Sequence, residues 1–408
     1  MKNSFSILAW VSIVGAVACA FAIPCVTTLK PLFLALLLLN LALPFVARKG
    51  YGKPALTVCR LLVGALFVFS SFTKGVDPLG TKYKMLDYFA AYGITWLNDL
   101  ALVLAVFMIL AEFLVGICLM TNVFPRLAVL GATLLMVFFT ITTLFDALYD
   151  LVPDCGCFGS AVKMSNWQTF YKNLVIDAVL IPLVLNNKRL ENKFSWGGQF
   201  VAGCIFAIAF LGFEFYNYRH LPMVDFMDWK VGKDMSPKGY DAGKIYVTYR
   251  NKETGDTQEF ESPNYPWNDS VWMSQWTFVS QRTEGGSDAL GFEITDAEGE
   301  DFTHILFETE NLYVFISTHL EELTDKDFDN CIKMTEVAYN QGFDYIWLTA
   351  SLPEYVEELN EKYLIFNDVY YGDELELKTM VRSNPGLMLI DNGIIKNKWS
   401  KIDFPLMK

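Results

Sequence analysis

The sequence has few of the residues that build metal sites and charged surfaces. Only three of its 408 residues are histidine, and charged residues make up only 19% of the chain. A metal site based on histidine is therefore disfavoured. In their place the chain has 53% hydrophobic residues and a positive mean hydropathy, a mixture typical of a membrane protein with an attached soluble part.

Positive charge is scarce in the second half of the chain. Residues 1–217 contain 15 Lys and Arg against 10 Asp and Glu, whereas residues 218–408 contain 17 against 35. The two parts therefore differ in character, with a balance of +5 in the first and −18 in the second. Because so acidic a region repels phosphate groups, we expect no nucleic-acid partner and no docking on anionic lipid.

Seven apolar runs are long enough to cross about 30 Å of hydrocarbon. Since only Lys2 precedes the first run and a second run follows closely, these two predict a retained hairpin rather than a cleaved signal peptide. The runs cover residues 6–27, 31–47, 55–72, 98–121, 124–148, 169–186 and 197–216.

Clustered basic residues predict the orientation of these spans. They lie in "ARKGYGK", at Arg126 and in "NNKRLENK", which the positive-inside rule assigns to the cytoplasm. The N-terminus is then cytoplasmic, and everything after Tyr216 lies on the outer side. We therefore expect the protein to be embedded in the lipid of a bacterial inner membrane, with its C-terminal domain in the periplasm.

The loop between the fifth and sixth spans reads "DCGCFGS" and places Cys155 and Cys157 on the same outer side. A disulfide between them would close a small, strained ring that exchanges readily with other thiols. Cys25, at the outer end of the first span, shares that face. Three interpretations compete: a redox-active pair, a structural disulfide within the pair or to Cys25, and a metal site. The metal site is the weakest, because two thiolates supply half of a tetrahedral set.

Three charged residues lie within the predicted spans. Arg60 opens the third span, Glu112 is near the middle of the fourth, and Asp177 is near the middle of the sixth. Charges at such depth are costly and usually pair or line a polar cavity. They indicate either a proton path or quinone head-group site, or a structural bridge from Arg60 to Glu112 or Asp177.

The order of these features resembles the DoxX/MauE-like membrane family over residues 55–187. The likeness is carried by Arg60, Gly64, the Lys-x-x-Asp-Pro pattern that begins at Lys74, and the later "DCGCFG". It implies a four-helix core related to the vitamin K epoxide reductase type. It also implies quinone-linked or disulfide redox work, with Cys155 and Cys157 as a thiol pair and Arg60 and Glu112 as polar groups. Quinone is the cofactor that this suggests, and no metal is expected.

The outer region has two patterns. "GKIYVTYRNKETGDTQEFES" predicts a β-hairpin with its turn at "NKETGD". From residue 303 the periodicity predicts β-α-β-α-β-α-β-β, with a final turn at Asp391-Asn392-Gly393. In this order residues 304–318 and 363–369 are strands, and the first helix ends at Gly342. This order resembles the thioredoxin fold and implies a cis proline at Asn384-Pro385.

The thioredoxin-like segment lacks the dithiol of that family. Where the family has Cys-x-x-Cys, this chain has "THLEELTDKD", and Cys331 stands alone in the following helix, where we expect it to be buried. A redox-inert domain that binds a partner is therefore predicted.

Together these patterns predict a polytopic all-α membrane bundle joined to an α/β extracytoplasmic domain. The predicted function is membrane thiol/disulfide or quinone-linked redox chemistry at the outer face, with a periplasmic thiol/disulfide protein as partner. The other prediction is a non-enzymatic scaffold with a structural disulfide. The predicted divisions are an N-terminal hairpin at 1–54, the DoxX/MauE-like core at 55–187, the last span at 188–217, a β-rich segment at 218–302 and the thioredoxin-like domain at 303–408.

Overall fold

A computed structural model describes most of the chain after residue 50. The described residues are 51–152, 159, 161–162, 164–192, 194–236, 244–252, 254–261, 266, 270–284, 292–366 and 368–406. The first two predicted spans lie outside them, so the total of seven spans stays a prediction. The chain divides into two compact units, one ending at Val224 and the other beginning at Asp225.

The described part of the first unit is helical. Each helix except α2 is long and apolar enough to cross a membrane, which confirms the five predicted spans that fall within the described residues. Helix α2 has 14 residues, fewer than a membrane crossing needs. The helices are α1 (Lys53–Val76), α2 (Pro78–Ala91), α3 (Ala101–Thr121), α4 (Pro125–Tyr149), α5 (Asn166–Leu185) and α6 (Trp196–Arg219).

Four of these helices form a ring. Helices α1 and α4 each pack against both α3 and α5, and α6 packs against α3 and α1 from outside. Helices α1 and α3 approach closely where Gly64 meets Gly116, because a Cβ added to either glycine would lie 2.9 Å from the carbonyl oxygen of the other. Small residues at both positions allow this close approach.

The bundle has an apolar half and a polar half. The apolar half lies where α1 begins, with Leu56, Cys59 and Val63 packed against α3, α4 and α5. Toward the other end of α1 the buried side chains become polar. They include Lys74, Asp77, Glu112, Thr143, Asp146, Asn166 and Asn173.

The second unit contains a three-stranded antiparallel sheet of order β2-β1-β3. Its strands are β1 (Lys244–Asn251), β2 (Thr257–Glu261) and β3 (Trp276–Glu284), with the short helix α7 (Ser270–Gln275) before β3. Strands β1 and β2 pair from Tyr246–Glu261 to Arg250–Thr257, which confirms the predicted hairpin.

A six-stranded sheet of order β9-β8-β5-β6-β7-β4 follows. Its strands are β4 (Ile294–Thr295), β5 (Leu312–Ser317), β6 (Tyr345–Thr349), β7 (Val369–Gly372), β8 (Gly386–Asp391) and β9 (Ile394–Ser400). Strands β5, β6 and β7 are parallel, whereas β4 pairs antiparallel with β7, and β8 with both β5 and β9. The accompanying helices are α8 (Ile305–Glu308), α9 (Asp325–Gln341), α10 (Pro353–Tyr363) and α11 (Glu374–Met380).

The element order predicted from residue 303 is largely confirmed, and the Asn384-Pro385 peptide is cis as expected. One strand is displaced: β7 begins at Val369 rather than Tyr363, since α10 continues to Tyr363 and Leu364 ends it with a φ of 54°. Residues 305–308 are helical, although we predicted strand there. The thioredoxin likeness itself stays a prediction.

Candidate functional site

The polar half of the bundle contains a buried ion pair between α1 and α3. Lys74 Nζ lies 2.6 Å from Glu112 Oε1, and the two side chains are only 6% and 1% exposed. Ser70 Oγ donates a hydrogen bond to the other carboxylate oxygen of Glu112 at 3.0 Å. Because both charges are removed from water, each depends on the other, and losing either leaves an uncompensated charge.

Arg60 lies apart from this pair, in the apolar half. Its guanidinium Nη1 donates hydrogen bonds to the carbonyl oxygens of Leu119 and, at 3.3 Å, Met120. Carbonyls in the last turn of a helix have no helical donor, so Arg60 caps the end of α3. The predicted bridges from Arg60 to Glu112 or Asp177 are wrong, because Lys74 is the cation that reaches Glu112.

Gly159, the last residue of "DCGCFG", packs on the turn of α1 that carries Lys74. A Cβ at Gly159 would lie 3.1 Å from the carbonyl oxygen of Thr73 and 3.8 Å from the backbone nitrogen of Lys74. The residue also has a φ of +54°, which favours glycine. Cys157 precedes Gly159 by two residues in the sequence. Cys155, Cys157 and Cys25 lie outside the described residues.

The Lys-x-x-Asp-Pro pattern separates into two local roles. Lys74 pairs with Glu112, whereas Asp77 caps the helix that follows, its Oδ1 accepting a hydrogen bond from Gly80 N at 2.9 Å. Pro78 takes the first position of α2, where its missing N–H is not needed. The motif therefore fixes the sharp turn from α1 into α2 directly after the ion pair.

A second polar cluster lies where α4 ends. Tyr88 Oη donates to Asp146 Oδ2 at 2.6 Å, and Asn166 Nδ2 donates to Val152 O at 3.0 Å and Asp150 Oδ1 at 3.2 Å. The remaining side-chain oxygens of Asp146 and Asn166 are buried, and among the described residues neither has a hydrogen-bond partner. Two buried acceptors without donors indicate a place where a proton or a donor group can be accepted.

Asp177 lines an apolar groove between α4 and α5. Its Oδ2 accepts a hydrogen bond from Thr140 Oγ1 at 2.8 Å. The groove has a volume of about 350 Å³. A single polar pair in otherwise apolar walls is typical of pockets for a mainly apolar ligand with one polar end. The other lining residues are Thr133, Val137, Ile141, Leu180, Ile181 and Val184.

The thiols of the described membrane helices differ in exposure. Cys59 is part of the apolar core and Cys118 packs against it, as expected for cysteines that act as small hydrophobic residues. Cys204 is exposed on α6. None of the three is in a disulfide.

In the second unit, a set of polar contacts follows β5. Ser317 Oγ donates to Asn384 Oδ1 at 2.7 Å, and Asn384 Nδ2 donates to the carbonyl oxygen of His319 at 3.0 Å. His319 Nε2 lies 3.2 Å from Glu374 Oε1. These contacts join the loop after β5 to the cis peptide before Pro385. In the thioredoxin family the loop after this strand carries the dithiol. In this chain the loop has no cysteine, and hydrogen bonds connect it to the Asn384-Pro385 peptide.

Cys331 is the single cysteine of the second unit, and it is buried as predicted. Burial raises the pKa of its thiol well above the ordinary value, and the neighbouring Asp327 carboxylate raises it further. Since the thiolate is the reactive form, Cys331 is not suited to disulfide exchange. Within the described ranges, no group of three or more His, Cys, Asp or Glu side chains is arranged to hold a metal ion.

The comparisons with known proteins concern the membrane helices. Residues 52–186 match the family model described as "Methylamine utilisation protein MauE", a stretch that includes α1 to α5 and ends before α6. No curated protein and no solved structure matches the chain. The MauE part of the predicted resemblance is thus confirmed. The first unit is a multi-pass membrane region in which helices α1 to α5 are similar to the MauE family.

Proposed function

We propose that this protein carries out thiol/disulfide redox chemistry at the outer face of a bacterial inner membrane, with Cys155 and Cys157 as the redox pair. The observation that supports this most directly is the packing of Gly159 on Thr73 and Lys74. It joins the cysteine-containing segment to the turn of α1 whose lysine forms the buried pair.

The proposed reaction is an exchange at sulfur. A thiolate of one cysteine attacks a disulfide of a periplasmic partner, a mixed disulfide forms, and the second cysteine resolves it. The partner leaves as a dithiol, and Cys155 and Cys157 are left joined. In the opposite direction, the exchange passes the two electrons and two protons of a partner dithiol to the Cys155–Cys157 disulfide, and the partner leaves as a disulfide. The resulting dithiol of the pair then gives two electrons and two protons to a quinone, which becomes a quinol, and the Cys155–Cys157 disulfide is restored. Asp154 beside Cys155 disfavours the thiolate of that residue, so we propose Cys157 as the nucleophile.

The groove at Asp177 and Thr140 is our candidate for the quinone head group. It is lined by residues of α4 and α5, and in mostly apolar walls it offers the Asp177 carboxylate hydrogen-bonded to the Thr140 hydroxyl. Quinone has the matching chemistry, with polar oxygens on a ring and an apolar tail. The DoxX/MauE-like resemblance points in the same direction.

We propose that residues 303–408 form a thioredoxin-like domain that binds the partner without exchanging electrons. The strand order, the cis peptide before Pro385 and the buried Cys331 support this role. The same features also favour the second candidate function, a scaffold with a structural disulfide, because the domain itself has no reactive thiol.

Trapping of a mixed disulfide distinguishes the two functions. If Cys157 attacks, Cys155→Ser should leave the partner attached to the chain in membranes, as a band that disappears on reduction. The matched control is Cys204→Ser, which removes an exposed cysteine from α6 and should trap nothing. If neither Cys155→Ser nor Cys157→Ser traps a partner, and both retain the phenotype of the unmodified protein, the redox proposal is wrong and the scaffold stands.

A further inference from the structure

The carboxyl group of Glu214 is buried in the membrane region without any hydrogen-bond partner among the described residues. Glu214 lies on α6 and is 1% exposed, and neither of its carboxyl oxygens has such a partner. Glu112, by contrast, contacts both Lys74 and Ser70. The two buried glutamates of the bundle therefore differ completely in how their oxygens are used.

Glu214 reaches the same turn of α1 from the outside of the four-helix ring. A Cβ at Gly75 would lie 3.6 Å from Glu214 Cγ. It would lie 3.1 Å from the ring of Phe210 and 3.2 Å from the ring of Phe213, both on α6. Gly75 follows Lys74 directly in the chain. In addition, Phe113, the neighbour of Glu112, stacks on Phe210 of α6 with ring centroids 3.9 Å apart. Helix α6 thus brings its carboxyl group beside the helix turns that hold the ion pair.

Packing does not explain this carboxyl group. No described residue forms a hydrogen bond with it, and an apolar side chain of similar size would avoid the cost of burying it. Ionisable residues in that situation usually have a role in moving protons or binding a ligand. Helix α6 packs against α1, α2 and α3. These helices carry the charged side chains Lys53, Arg60 and Lys74 on α1, Lys82, Lys84 and Asp87 on α2, and Glu112 on α3.

We propose that Glu214 is a proton-carrying residue of the membrane site. This inference rests on the proposed redox function. When a thiol of the redox pair is deprotonated, the Glu214 carboxylate takes up that proton and becomes a carboxylic acid. When the Cys155–Cys157 disulfide has formed, Glu214 releases this proton, which balances one of the two that the quinone takes up, and returns to the carboxylate. Helix α6, which lies outside the matched family region, would then belong to the functional site.

Dicyclohexylcarbodiimide tests the proposal in the purified full-length protein. This reagent adds to protonated carboxyl groups in apolar surroundings to give a stable acylurea, with no atom lost from either reactant. Mass spectrometry should find the adduct on Glu214 and not on the ion-paired Glu112, and Glu214→Gln should abolish it. A wild-type protein that remains unlabelled at Glu214 would overturn the proposal.

A second variant separates proton transfer from structural support. Glu214→Leu should leave the resistance of the bundle to denaturation unchanged or increased, measured as the labelling of buried Cys59 in rising concentrations of sodium dodecyl sulfate. It should slow reoxidation of the cysteine pair by decylubiquinone by about 100-fold, the lower end of what general acid–base groups contribute. A bundle that opens more easily, with unchanged reoxidation, would show that Glu214 is structural.

The outcome of the carbodiimide test can be separated from the outcome for the proposed function. Carbodiimide labelling does not need the cysteines to react. If the cysteine pair cycles and Glu214 is not labelled, only the role of Glu214 is refuted. If Glu214 is labelled and the pair does not cycle, the redox function is refuted, and with it the coupling of this proton site to thiol chemistry.

Discussion

Each unit of the protein contains a lysine–glutamate pair, and the two pairs have very different surroundings. In the membrane bundle, Lys74 and Glu112 are 6% and 1% exposed. In the second unit, Lys378 and Glu374 pair within one turn of α11 and are 19% and 44% exposed. The chemical groups are the same, but only the pair in the second unit is exposed enough for water to replace a partner. Burial therefore decides how much each pair matters.

The two units also offer matched reporters for testing this difference. Cys59 is buried in the membrane bundle, and Cys331 is buried in the second unit. Each becomes reactive when its own unit opens. Thiol labelling followed by mass spectrometry can then measure the stability of both units in the same sample of full-length protein.

The largest effect should come from breaking the buried pair. Glu112→Leu leaves the Lys74 ammonium uncompensated, which should cost the bundle about 3–5 kcal/mol. Cys59 should become reactive at much lower denaturant, with Cys331 unaffected. The double variant Lys74→Met/Glu112→Leu should recover most of the loss. A double variant as unstable as Glu112→Leu would show that packing, not the charge, is responsible.

A smaller effect should come from the helix contact in the apolar half. Gly64→Ala places a methyl group 2.9 Å from the carbonyl oxygen of Gly116, and should cost about 1–3 kcal/mol. Gly212 on α6 has open space at the corresponding position, so Gly212→Ala is the control and should be neutral or stabilising by up to about 1 kcal/mol. Cys59 labelling reports both. Equal effects at the two glycines would contradict the close approach of α1 and α3.

The hydrogen bond in the groove should matter less again. Thr140→Val removes the donor to Asp177 and should cost about 1 kcal/mol. Thr133 lines the same groove but donates to the carbonyl oxygen of Val129, in its own helix, so Thr133→Val is the matched control. If the groove binds quinone, Thr140→Val should also weaken decylubiquinone reduction more than Thr133→Val does. An identical response of the two variants would remove Asp177 from the proposed site.

The smallest effect should come from the exposed pair of the second unit. Lys378→Met should lower the free energy of unfolding of this unit, measured through Cys331 labelling, by only about 0.3–0.5 kcal/mol. The hydrogen bond from Lys378 holds the pKa of Glu374 below its ordinary value, and His319 acts in the same direction. A carboxylate with a depressed pKa stabilises the fold above the unfolded pKa of about 4.3, and that stability is lost as the pH falls through the folded value.

The pH dependence can be measured with a pyridyl disulfide, which reacts with thiols in acid. The difference between Lys378→Met and the unmodified protein should be present at pH 7 and should disappear on acidification to about pH 3. A difference that grows on acidification would contradict the assigned direction.

Local pattern was enough to predict many elements of both units. Long apolar runs predicted the five described spans to within a few residues, because crossing a membrane requires length and apolarity that are visible in sequence. Turn chemistry likewise predicted the β1–β2 hairpin and the end of α9 at Gly342. Where strand and helix preferences are balanced, as at residues 305–308 and 363–369, tertiary packing chose the outcome.

The composition of the site could not be predicted in the same way. Arg60, Glu112 and Asp177 were recognised as charged residues within the spans, but sequence spacing does not show which helix faces which. Arg60 proved to cap α3, and Lys74 to be the partner of Glu112. Glu214 had a visible signal, an acidic residue in the apolar run of the last span, that sequence reasoning passed over.

The sequence by itself determined that the chain has a membrane part followed by an acidic part, and it located the described spans. It also determined that the second unit has no Cys-x-x-Cys. These properties depend on composition and local periodicity, which each segment carries alone. Only the tertiary structure decided that Lys74 rather than Arg60 pairs with Glu112, and that Gly159 packs on the turn of α1 that carries Lys74. It also decided that Glu214 is buried without a hydrogen-bond partner among the described residues. Such relations depend on the rotation and register of packed helices, because a shift of one residue turns a side chain by about 100° around the helix axis.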